Sequence, residues 1–74
     1  METLGEKIRN LREEKGLTQP ELAKLVGVSN GTVSFWENGE NEPKASYVRK
    51  LATVFEVTSD YLLGLEDETG AKIG

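Results

Sequence analysis

The chain has 74 residues, no Cys and no His, and a formal charge of −4. A chain this short is one domain with a thin margin of stability, and it lacks disulfides, thiol nucleophiles and the usual zinc ligands. Packing alone must hold it, and at this size helix on helix is the economical solution.

The first predicted helix opens on the capping-box pattern Thr3-Leu4-Gly5-Glu6 and places Leu4, Ile8 and Leu11 on one face. Lys15-Gly16 closes it. A second box, Thr18-Gln19-Pro20-Glu21, opens the next helix, with Pro20 in the first turn, where its missing N–H costs nothing. Leu22, Ala23, Leu25 and Val26 follow, and Gly27 stops it. Ser29 is a good N-cap for a third helix from Asn30 through Glu37, ending at Asn38-Gly39. Val33 and Trp36 share its core face, while Asn30, Gly31, Ser34 and Phe35 lie on others. After a polar loop to Pro43, a fourth helix runs from about Lys44 to Phe55, with Ala45, Val48, Leu51, Ala52 and Phe55 on one side. Thr58 caps a short fifth helix bearing Tyr61, Leu62 and Leu63, and Gly64 ends it. The domain is expected over residues 1–65, with a frayed tail over 66–74.

Charge is unevenly spread. Residues 1–30 balance acid and base, and the excess acid sits at Glu37, Glu40 and Glu42 and at Glu66, Asp67 and Glu68. An acidic chain lacks the usual footprint of a nucleic-acid binder, although whole-chain charge decides nothing about fold. No apolar run approaches a membrane span, and Met1-Glu2 starts no secretory pattern, so a cytoplasmic location is the default expectation.

The segment from Gln19 to Trp36 is the informative one. Two short helices meet at Gly27-Val28-Ser29, the abrupt corner that a helix-turn-helix needs. Gly27 tolerates a positive φ, and Ala23 is small enough for the second helix to cross closely. Trp36 is expected in the core and Phe35 on the surface. Lys7, Arg9 and Lys15 are expected as solvated helix surface, and Tyr61 as core or dimer contact.

These residues resemble the Cro/cI-type (XRE) helix-turn-helix family. The likeness is carried by Gln19-Pro20-Glu21-Leu22-Ala23, Gly27-Val28-Ser29, Val33 through Gly39 and Pro43, and it extends to Leu51-Ala52, Phe55, Val57 and Asp60 through Gly64. It implies an all-α, five-helix lambda-repressor-like DNA-binding domain in which helices 2 and 3 form the motif. It also implies a transcriptional regulator, a repressor, that reads a palindromic operator in double-stranded DNA as a homodimer. On that resemblance Asn30, Gly31, Thr32, Ser34 and Phe35 face the bases, with Thr32 open to base or phosphate. Gln19, Asn38, Asn41 and Lys44 meet phosphates, and Arg12 pairs with Glu37 to tie the first helix to the third.

Elementary chemistry supports these roles separately. Helix N-termini present free N–H groups to phosphate. Asn pairs with adenine, and Phe packs on thymine methyl groups. Neutral Asn and Gln on phosphates let an acidic protein bind DNA. Some residues depart from the family pattern. Gly31 weakens its helix by roughly 1 kcal/mol relative to Ala, Lys44 replaces a Ser-like cap, and Glu40 and Glu42 put negative charge in the loop nearest DNA. A protein-interaction module on the same fold, antitoxin-like or an adaptor, is the competing expectation. No cofactor, metal or small-molecule ligand is inferred. An enzyme is not expected, because no nucleophile stands beside a His or a carboxylate pair.

Overall fold

Side-chain oxygens fix where the helices begin. In the computed structural model, which describes residues 2–65, the order is α1 Leu4–Glu14, α2 Gln19–Val26, α3 Asn30–Asn38, α4 Ala45–Phe55 and α5 Ser59–Leu62. The tail expected over 66–74 lies outside the described residues. Thr3 Oγ1 accepts from Glu6 N at 3.1 Å and Glu6 Oε1 accepts from Thr3 N at 2.9 Å, completing the first capping box. Thr18 and Glu21 repeat the exchange at 3.2 and 2.8 Å. Ser29 and Thr58 cap α3 and α5 by accepting from Thr32 N and Tyr61 N. Lys44 stands at the N-cap of α4 and makes no side-chain cap bond, so the fourth helix starts one residue later than expected.

Helix ends follow one rule. The carbonyls of Arg12, Ala23, Phe35, Ala52 and Asp60 each accept an N–H from five residues onward, a Schellman-type closure. Such a closure needs a left-handed residue just before the donor. Glycine supplies it everywhere except after α4, where Glu56 sits at φ 59°. A side chain there costs roughly 1–2 kcal/mol. Glu56 is held in part by Lys15 Nζ at 2.9 Å, an exposed pair that offsets little of the cost. α4 therefore lacks good caps at both ends and depends on its packed face.

That face is deep. Val48, Leu51, Ala52 and Phe55 are buried in one cluster with Ile8 of α1, Leu22 and Val26 of α2, Val33 and Trp36 of α3 and Leu62 of α5. The Trp36 ring lies 5.7 Å from that of Tyr47, tilted, and is in the core as the sequence predicts. Leu25, Ala45 and Leu63 are exposed, and of these only Ala45 was expected on the core side of its helix. Leu25 lies on the flank of α2, away from the arc shared by Leu22, Ala23 and Val26; Ala45 is in the first turn of α4; and Leu63 follows the last turn of α5. Among the described residues, no helix is long and apolar enough to cross a membrane.

α3 packs chiefly on α1 and α2. The approach of α1 is set by Gly5, which the sequence marked only as part of a capping box. A Cβ built there would overlap the Trp36 carbonyl oxygen and stand 2.8 Å from that of Glu37. Both obstacles are backbone, so the end of α3 would have to move. Gly31 is the opposite case: its Cβ would meet only Ser29 Oγ, at 3.9 Å. Denaturant unfolding should therefore separate two chemically identical substitutions. Gly5→Ala is expected to lose about 1–3 kcal/mol to overpacking, whereas Gly31→Ala gains up to about 1 kcal/mol of helix propensity.

Candidate nucleic-acid interface

The corner between α2 and α3 is built from three local devices. Gly27 turns the chain at φ 80°, Val28 N donates to Ala23 O at 2.9 Å, and Ser29 accepts from Thr32 N at 3.1 Å to start α3. Ala23 is buried at the crossing and Val28 packs on the core. The second motif helix thus follows the first after three residues.

α3 then has two faces. Val33, Trp36 and Glu37 point inward and are buried. Asn30, Gly31 and Phe35 are exposed, with Phe35 at 47% the one large apolar group on that side, and Ser34 is half-buried beside them. Thr32 is half-buried, and its hydroxyl lies 2.9 Å from Ser29 Oγ, so it is engaged at the cap. The five expected base-facing residues therefore share one helix, four of them on its outward side.

Beneath this surface, Glu37 collects the donors. Arg12 Nε donates to Oε2 at 2.6 Å and Nη2 to Oε1 at 3.1 Å, a bidentate pair, while Nη1 donates to Leu17 O at 2.8 Å. Gln19 Nε2 donates to Oε1 at 3.0 Å, and Arg9 Nε stands 3.5 Å from the same oxygen. The Glu37 side chain has no exposed surface and that of Arg12 keeps 12%. Burial pushes the Glu37 carboxyl up. The bonds from Arg12 and Gln19 and the charges of Arg12 and Arg9 outweigh it, so the group is held below its usual value of 4.5. Arg12, bonded to Glu37, is correspondingly raised.

The expected ion pair is thus present and larger than expected. Gln19, assigned to phosphate by resemblance, also spends a side-chain N–H on Glu37, leaving its backbone N–H at the α2 N-terminus. Arg9, expected as free surface, borders the same carboxylate. Lys7 is likewise not free: its Nζ donates to Tyr61 O at 2.9 Å and lies 4.9 Å over the Tyr61 ring, joining α1 to α5. Spacing offers no signal for contacts between helices so far apart in sequence. Gly5 did offer one, since a glycine inside a helical pattern often marks close approach.

Beyond α3, Asn38, Asn41 and Lys44 are all exposed, as are Glu40 and Glu42. The Glu40 and Asn41 N–H groups fold back on Phe35 O at 2.9 and 3.3 Å, which holds the loop against the end of α3. Among the described residues no acidic cluster could hold a metal ion.

A short α2, a three-residue corner and an α3 with a buried inner face define a helix-turn-helix domain of the lambda-repressor type. Residues 8–62 match the helix-turn-helix family, and the chain belongs to it, in the Cro/C1-type branch. Repressor protein C2 of Salmonella phage P22 is 40% identical over 60 residues, which is 81% of this chain and 28% of that protein. The HTH-type transcriptional regulator ImmR of Bacillus subtilis is 33% identical over 70 residues, 95% of this chain and 54% of its own length. This chain therefore spans about half or less of these two relatives. Among solved structures, the P22 c2 repressor bound to a synthetic operator superposes with a TM-score of 0.80 at 37% identity, covering 84% of this chain and 94% of that one. SinR in complex with DNA gives 0.76 at 31% identity, covering 82% and 98%.

Removing one partner of a buried pair strands the other charge. Glu37→Gln is expected to cost about 3–5 kcal/mol in denaturant unfolding. The pH profile supplies a second check. A carboxyl held below its usual value stabilises the fold fully above that value and stops doing so as pH falls through the folded-state pKa. The native chain should lose stability progressively below about pH 4.5, and Glu37→Gln should show a shallower acid limb.

Proposed function

We propose that this chain is a sequence-specific, DNA-binding transcriptional regulator, a repressor, that reads a palindromic operator as a homodimer by laying α3 in the major groove. The observation that carries the reading is the division of α3. Its inner residues are committed to the core and to Arg12, Gln19 and Arg9, which leaves a polar outer face on a helix that is firmly held. The likeness to the operator-bound P22 repressor and to DNA-bound SinR supports it.

In this reading Asn30, Gly31, Ser34 and Phe35 meet base edges, with Thr32 at their margin. The backbone N–H of Gln19, together with Asn38, Asn41 and Lys44, meets phosphates. Glu37 sits on the same helix, but its charge is neutralised beneath the surface rather than presented to DNA. Neutral amides and one lysine then suffice for backbone contact despite the overall charge. A shallow apolar groove between α4 and α5, lined by Pro43, Ala45, Val48, Arg49, Ser59 and Leu63, together with exposed Leu65, supports pairing across a two-fold axis. Such a regulator works where the chromosome is, in the cytoplasm.

Selection of duplexes from a random pool at about 100 mM salt tests the reading, since phosphate contacts still act in that regime. A palindrome with half-sites about one helical turn apart is the expected product. Absence of binding even at low salt would instead favour a protein-interaction module. Lys44 gives a sharper check, because it occupies a cap position without capping. Lys44→Ser should raise stability by about 1 kcal/mol through the new cap. It should also weaken binding to all sequences alike and lower the salt slope by about 1 per protomer. Asn30→Ala should change which sequences are preferred. An equal loss on every sequence would remove Asn30 from the base-reading set.

A further inference from the structure

The outer face of α3 is unusual in what it lacks. From Asn30 to Phe35 it carries no Arg, Lys, Gln, Asp or Glu, and the one acid further along, Glu37, has no exposed side-chain surface. The common guanine reader, a bidentate Arg or Lys, is therefore absent from this face. In its place stands an aromatic ring, Phe35, 47% exposed, one helical turn beyond Gly31. Helical side chains lean toward the N-terminus, which directs the ring along the outer face on the Gly31 side. Gly31 has no side chain to cover it, and an added Cβ would find only Ser29 Oγ nearby. Phe35 is thus the one large apolar group on an outer face that also carries Asn30 and Ser34.

A phenyl ring neither donates nor accepts a hydrogen bond to a base edge. Pressed against a polar edge it strips water from donors and acceptors without replacing it, which is unfavourable. The one apolar group in the major groove is a methyl on pyrimidine C5, native to thymine and absent from cytosine. The same methyl is present on 5-methylcytosine.

Resting on the DNA-binding reading above, we infer that Phe35 reads the C5-methyl group of a pyrimidine, so that operator affinity depends on that methyl whether thymine or 5-methylcytosine carries it. Binding to a cytosine-containing variant of the operator is then controlled by methylation of the DNA.

The test uses the full chain and the operator recovered by selection. Thymines are replaced one at a time by uracil, which removes only the methyl. At one position in each half-site the affinity should fall about fourfold, the effect of one buried methyl-sized group at roughly 0.8 kcal/mol. At the same position 5-methylcytosine should bind more tightly than cytosine by a similar factor. Phe35→Ala should erase both differences, and Phe35→Leu, apolar but not aromatic, should keep them. Phe35 is exposed, so circular dichroism should show both variants folded. Uracil and thymine operators binding equally well to the native chain would overturn the inference while leaving DNA binding intact. So would a methyl dependence that survives Phe35→Ala. Failure of the native chain to bind any duplex would overturn the DNA-binding reading itself, and this inference with it.

Discussion

A carboxylate buried on α3 fixes the geometry of the interface. Taking Glu37 out of water is costly, and the cost is recovered only if its oxygens are saturated by well-placed donors. Arg12 provides two such bonds from α1 and Gln19 provides a third from the start of α2. Apolar contact between helices is non-directional and tolerates sliding, whereas hydrogen bonds to two fixed oxygens do not. The three helices that meet at Glu37 are therefore set in angle as well as in distance. Gly5 completes the arrangement by letting α1 come down on the carbonyls of Trp36 and Glu37. The pair also removes an exposed negative charge from the helix proposed to enter DNA. In a chain of net charge −4, that matters more than it would in a basic one.

The remaining helices are held by a different balance. α1, α2, α3 and α5 begin at side-chain caps, and glycine completes their closures. α4 has neither advantage, since Lys44 does not cap it and Glu56 is forced into the left-handed region. Its four buried residues compensate, and they belong to the same buried cluster as residues of the other four helices. Local signals thus position the motif, while long-range packing holds the helix behind it. Lys44 reflects the same division: it stands at the start of the helix without capping it and leaves its charge on the surface.

Helix starts and stops were legible in the sequence because capping boxes, Ser29 and the terminal glycines act locally, within a few residues. The corner at Gly27, the burial of Trp36 and the Arg12–Glu37 pair were legible too, the last through family resemblance. What the sequence did not show is tertiary in origin. Ala45 read as part of the core side of α4, yet is exposed in its first turn. Lys7 read as solvated surface, yet bonds the carbonyl of a residue in α5. Gln19 joins Glu37 only because α2 and α3 fold back on each other. Such pairings leave no periodic trace in a single sequence.

The division of α3 into an inner and an outer face has a consequence for how a lineage of such chains could change. Val33, Trp36 and Glu37 answer to the architecture, whereas Asn30, Gly31, Ser34 and Phe35 have few obligations to it. Substitutions at the outer positions leave the inner residues and the buried carboxylate in place, while the four outer neighbours, sharing one helix face, couple to one another. On the proposed DNA-binding reading, new target preferences can then be reached one replacement at a time, with every step along the route still a folded protein. The scaffold can drift slowly while its address is rewritten quickly.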